Sequence, residues 1–145
     1  MNKNNIILKI KKNNLIKNYN FFKKRKKNLI VASTIKANAY GLGDKKIFEI
    51  LYGAGCKHFF VATIEEGIKI SKINKKVKIY ILNGIQNYDY KIFNRRNLIP
   101  IINSIKELKK IGKKKLNFGI HIDTGINRLG ISHNDIKKYI YKLKV

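Results

Sequence analysis

Lys36 has the surroundings best suited to chemistry in this 145-residue chain. It stands in Leu29–Gly43, LIVASTIKANAYGLG, with no charged residue within seven positions on either side, although the chain carries 33 lysines and arginines. An apolar, β-branched run (Ile30, Val31, Thr34, Ile35) leads into it, and the small residues Ala37, Asn38, Ala39, Gly41 and Gly43 follow. A lysine drawn into apolar surroundings loses hydration, which favours the neutral, nucleophilic amine. A lysine at a strand end can also extend its ammonium to water. Tyr40, four residues on, offers a phenol hydroxyl. Arg128, within HIDTGINRLG at His121–Gly130, offers a planar guanidinium fork that suits a carboxylate better than lysine does. Asp123 and Asn127 in that stretch are of types that bond a turn's own backbone. His58 lies among apolar residues and reads as packing.

The elements that must position these groups alternate regularly. Leu15, Ile16, Tyr19 and Phe22 share one helical face, so a helix precedes the first core strand. That strand runs up to Lys36, where the glycines call for a tight strand-to-helix loop. Asp44 is placed to cap a helix carrying Ile47, Ile50, Leu51 and Ala54, which Gly53 and Gly55 end. His58–Ala62 is a second strand, and Thr63 with Glu66 has capping-box spacing before Ile64, Ile68 and Ile73. Val77–Leu82 is a third strand that turns at Asn83-Gly84, and Gln86–Asn97 reads as a short helix. Leu98–Ile102 is a fourth strand, in which Pro100 is expected only near an edge or a bulge. Ser104 and Glu107 repeat the capping spacing before Ile105, Leu108 and Ile111. Leu116–Asp123 is a fifth strand, and Ile136, Ile140 and Leu143 mark a last helix. Five strand-helix units predict an α/β chain with a parallel sheet, while an open doubly wound sheet and a barrel both remain compatible with the pattern. In either, Lys36 and the Arg128 loop fall at carboxyl ends of strands, where such folds carry their sites.

The K-A-N-A-Y-G segment at Lys36 and the D-T-G-x-x-R-x-G segment at Asp123–Gly130 resemble the alanine racemase family. The resemblance covers nearly the whole chain, more loosely over its opening LKIKKNNLIKNYNFF. It implies the first five units of a (β/α)8 TIM-type barrel, with residues 1–145 as the N-terminal part of the barrel domain. Three further units and a β-domain would lie outside the chain. It also implies pyridoxal 5'-phosphate as cofactor, held by Lys36 as a Schiff base, with Tyr40 at its phosphate. Arg128 would approach the cofactor's phenolic oxygen and the substrate carboxylate. The implied reaction interconverts L- and D-alanine, supplying cell-wall peptidoglycan precursors. Lys36 is the base on one face of the α-carbon, and a β-domain tyrosine contributed across a homodimer interface serves the other. Tyr88, Tyr90, Tyr139 and Tyr141 fall in helical regions expected to face outward, so the chain alone is expected to be inactive unless a complementing chain supplies the second base. One departure from the family is His121, seven residues before the arginine, where many members carry a lysine that can be carbamylated.

Composition narrows the alternatives. A formal charge of +25 raises nucleic acid as a partner, yet the lysines are spread from end to end and the dense run Lys23–Lys27 lacks interleaved aromatics. Nonspecific polyanion adhesion is expected, and specific nucleic-acid recognition is not. The single Cys56 allows no intrachain disulfide, no Cys/His cluster has zinc-ligand spacing, and no apolar run is long enough to span a membrane. A soluble, cytoplasmic setting follows as the expectation. Two rival readings are a stand-alone pyridoxal-phosphate-binding homeostasis barrel, which a different lysine segment marks, and a non-functional remnant.

Overall fold

A computed structural model describes residues 7–87, 89–112 and 114–143, with side chains as far as Tyr139. The chain runs α1 (Lys12–Lys23), β1 (Ser33–Thr34), a single helical turn α2 (Lys36–Tyr40), α3 (Asp44–Gly53), β2 (His58–Val61) and α4 (Ile64–Ile73). It continues through β3 (Lys78–Ile81), α5 (Lys91–Arg96), β4 (Leu98–Ile102) and α6 (Ile105–Ile111). Three two-residue strands, β5 (Gly119–Ile120), β6 (Ile122–Asp123) and β7 (Ile131–Ser132), lead to α7 (His133–Leu143). Ile7–Lys11 form no strand, and Ile6 lies outside the described residues, as do Tyr88 and the side chains of Ile140, Tyr141 and Leu143.

Strand order separates the two architectures that periodicity could not. All five main strands are parallel and lie in the order β1-β2-β3-β4-β5, each bonded to the next in sequence. A doubly wound sheet reverses direction part-way, whereas an unreversed order is that of a barrel wall. The fold is a partial (β/α)8 barrel.

The two faces of this wall differ. Phe59, Val61, Ile79, Ile81, Leu98, Pro100 and Ile102 are buried beneath the helices, while the alternate residues His58, Phe60, Tyr80, Ile99 and Ile101 form a half-exposed inner face. The helix α4 sits directly on this wall because Gly67 has no side chain. A Cβ there would come within 2.6 Å of the Ile81 side chain.

Three expectations need correction. Pro100 lies within β4, in register with Ile81 of β3, rather than at an edge. The Ile102 carbonyl accepts from the His121 amide, so residues 100 and 102 turn their backbone groups toward β5. Because β5 starts only at Gly119, opposite Ile101, the missing donor of Pro100 falls where β4 has no partner on that side. The fifth strand is broken: β5 pairs with β4, and after His121 the chain pairs as β6 with β7. Finally, Asp44 is the first residue of α3 and not its cap.

Candidate active site at the carboxyl edge of the sheet

The strand β1 ends in an uncommon backbone conformation. Ala37, Asn38, Ala39 and Tyr40 all have positive φ, between 51° and 55°, so α2 is a left-handed turn and not the ordinary loop that the glycines predicted. Each L-residue pays roughly 1–2 kcal/mol for that region, which persists only where the surroundings hold it. The holding groups are identifiable. The Ala37 amide donates to Glu66 Oε1 at 2.8 Å, the Asp44 amide donates to Asn38 Oδ1 at 3.0 Å, and the Ala39 side chain is buried. Asn38 thereby caps α3, a role that nothing in its local sequence context indicates. Asp44, 5% exposed, receives the Lys45 amide and the Lys69 ammonium at 2.7 and 2.8 Å.

Lys36 opens this turn and is half-buried. Thr34 pairs with Phe60 on the inner face, and Lys36 follows two residues on, past the end of the strand, where the Ile35 backbone has left the extended conformation. Beside it that face is aromatic: the rings of Phe60 and Tyr80 stack at 4.7 Å, and His58 Nδ1 lies 2.9 Å from the Tyr80 hydroxyl. Burial, with Lys78 adding to it, pulls the His58 imidazole below its usual range, and burial raises the Tyr80 phenol. Tyr40, 64% exposed, presents its hydroxyl from the end of the same turn as Lys36.

Arg128 is exposed on the loop between β6 and β7, at the same carboxyl edge but at the opposite end of the strand order. Asp123 Oδ1 accepts the amides of Gly125 and Asn127, at 2.9 and 3.1 Å, and these bonds hold its carboxyl below the usual range. Asn127 takes the left-handed conformation, so both residues act as turn formers. At the root of the loop, the Asn103 amide donates to the Leu82 and Ile101 carbonyls, which turns its Oδ1 toward His121 Nδ1 at 3.0 Å. That contact places the His121 proton on Nδ1.

Lys36 and Tyr40 thus share one turn, and Arg128 shares with them only the edge of the sheet. An amine, a phenol and a guanidinium at one edge are a donor set that fits an anionic, aldehyde-bearing cofactor. Among the described residues no cluster of His, Cys, Asp or Glu could hold a metal ion, and no helix is long and apolar enough to cross a membrane. Sequence reasoning missed Asn38 as a structural cap and Glu66 as a neighbour of the lysine turn. For Glu66 the signal present was its capping-box spacing, which gave no hint of the second contact.

Comparison with known proteins agrees with this architecture. The family described as "Alanine racemase, N-terminal domain" matches residues 10–145. The alanine racemase of Rickettsia bellii (strain RML369-C) is 40% identical over 121 residues, 79% of this chain and 30% of that protein. That of Rickettsia prowazekii (strain Madrid E) is 34% identical over 130 residues, 85% of this chain and 32% of the other. Among solved structures, alanine racemase from Bartonella henselae, with covalently bound pyridoxal phosphate, superposes with a TM-score of 0.82 at 31% identity, over 93% of this chain and 41% of that one. Alanine racemase from Oenococcus oeni gives 0.77 at 28% identity, over 94% and 41%. The chain spans roughly a third of the length of the curated relatives it matches. By its matched residues and its barrel wall, the chain belongs to the alanine racemase N-terminal domain family.

Proposed function

We propose that this chain supplies the cofactor-lysine part of a pyridoxal-phosphate-dependent alanine racemase. The observation that carries the reading is the position of Lys36, half-buried just past the carboxyl end of β1 and at the head of a strained left-handed turn. Backbone strain of this kind gathers where a fold fixes a functional group. Lys36 would hold the cofactor through its amine, Tyr40 through a hydrogen bond to its phosphate, and Arg128 through the cofactor's phenolic oxygen. When bound, the cofactor withdraws electrons from the α-carbon of an amino acid and so acidifies its α-hydrogen.

The residues of the chain then divide the work. Arg128 binds the substrate carboxylate with its planar fork and fixes which face of the α-carbon is presented. Lys36 Nζ, released once the substrate's amine has taken its place, takes the α-proton from that face. Inversion needs an acid on the opposite face. Tyr90 lies beside Lys114, beyond the far end of α6, and Tyr139 packs from α7 against the core, so neither is offered at the carboxyl edge. We assign the second acid, together with the rest of the barrel and a β-domain, to residues outside these 145, joined in cis or as a complementing chain in a homodimeric enzyme. Alanine is the substrate, D-alanine for cell-wall precursors the product and the cytoplasm the compartment.

Chiral chromatography of L-alanine incubated with the protein tests this. The 145-residue chain is expected to form no appreciable D-alanine, and restoring the remaining barrel units and β-domain is expected to give turnover that Lys36→Ala abolishes. Turnover by the chain alone, or turnover that survives Lys36→Ala, would contradict the assignment.

A further inference from the structure

The chain holds only 8 acidic residues, and at least five of them (Asp44, Glu66, Asp89, Glu107 and Asp123) accept backbone amides among the described residues. Two of the five repeat one arrangement. Glu66 is the third residue of α4: its Oε2 accepts the Ala62 amide at 2.7 Å and the Thr63 amide at 3.4 Å, the second of which closes the capping box, and its Oε1 accepts the Ala37 amide at 2.8 Å. Glu107 is the third residue of α6: its Oε2 accepts the Asn103 amide at 2.8 Å and its Oε1 reaches the Ile85 amide at 3.4 Å. In each case the carboxylate caps the helix that follows one strand and reaches back to the loop that follows the preceding strand. Gly84 leaves room for Glu107, whose carboxylate a Cβ at that position would strike.

The two clasps differ in what they hold. Glu107 holds Ile85 between two single positive-φ residues, Gly84 and Gln86, whereas Glu66 holds the residue next to Lys36, the first of four left-handed residues in a row. The next residue of that turn is tied to the same helix, since Asn38 accepts the Asp44 amide, and Asp44 pairs with Lys69 one turn beyond Glu66. We propose that Glu66 is the positioning residue of the reactive lysine: one carboxylate oxygen fixes the turn that aims Lys36, while the other caps α4. This rests on Lys36 being the cofactor lysine. It adds to that assignment a determinant 29 residues away.

Glu66→Gln separates the two jobs. Glutamine can serve in a capping box, but its single acceptor oxygen cannot take both the Ala62 and the Ala37 amides. Glu66→Asp, which is too short to span both, provides a second variant should the first not fold. Thr63→Ala removes the cap without touching the turn, and Glu107→Gln makes the same change in the other clasp. The protein is mixed with pyridoxal phosphate and reduced with borohydride, and the label is mapped by peptide mass, alongside hydrogen exchange at the Ala37 amide. In the unaltered chain Lys36 is expected to take the label preferentially. Glu66→Gln should cut that preference by about tenfold or more, as misplacement of a reacting group does, and should speed Ala37 exchange. Thr63→Ala and Glu107→Gln should leave it within about twofold, since neither contacts the turn. Unchanged Lys36 preference in the Glu66 variants, or an equal loss in all of the variants, would overturn the positioning role alone. No Lys36 preference in the unaltered chain would overturn both that role and the cofactor assignment.

Discussion

At the scale of the residue, the account depends on shape as much as on charge. Arg128 stands in a chain whose positive charge is mostly lysine, and a guanidinium can bind a carboxylate through two parallel hydrogen bonds where an ammonium cannot. In the complemented enzyme, Arg128→Lys is therefore expected to lower kcat/KM for alanine by about tenfold or more, while Arg25→Lys, a change in the loop between α1 and β1 beside Phe21, stays near the unaltered value. Equal effects of the two substitutions in steady-state assays would reduce Arg128 to a turn residue. Lys36 stood out by its uncharged surroundings, whereas Tyr40 and Arg128 were marked by segments that resemble the family's motifs. The sequence did not mark the conformation that presents the first two. Ala and Tyr have no preference for positive φ, so nothing local announces four such residues in a row. The turn is held by Glu66 from outside and by Asn38 from within, through its bond to the Asp44 amide, and the Glu66 contact, made across 29 residues, has no local signature.

Among the elements, β2, β3 and β4 were legible from apolar runs bounded by turn residues, and α4 and α6 from their caps. The element that misled was the last. Leu116–Asp123 has strand composition throughout, but His121 bonds to β4 through its amide and to β7 through its carbonyl, so the ladder changes partner in mid-run. Pairing partners are a tertiary choice that composition does not encode. The inner face carries a pH-dependent contact of its own. His58 stacks on Tyr80 with its imidazole held below the usual range, chiefly by burial. The unfolded chain takes up a proton at the ordinary histidine value while the folded one resists, so stability is full above that value and falls as pH drops through it toward the lowered one. Urea denaturation at a series of pH values should show this loss, and His58→Gln should flatten it. An identical pH slope in the two proteins would mean that His58 is not its source.

Across the whole molecule, five parallel strands joined by four consecutive pairings make a wall rather than a closed barrel, and the wall's ends carry apolar side chains exposed to solvent. Leu29 and Ile30 lie at the β1 end, and Phe118, Ile120 and Ile122 at the β5 end. These are positions that further strands would cover, in keeping with the assignment of the second acid to residues beyond the chain. Composition could not decide between a barrel and an open sheet, because both are built from the same unit. Only the order in which the units pair distinguishes them. What the wall already provides is the lysine, and the most direct measurement is where the cofactor attaches. The chain is incubated with pyridoxal phosphate and reduced with borohydride, and the adduct is located by peptide mass mapping. The account predicts an adduct concentrated on Lys36 and lost in Lys36→Ala; label spread over the surface lysines in proportion to their exposure would contradict it.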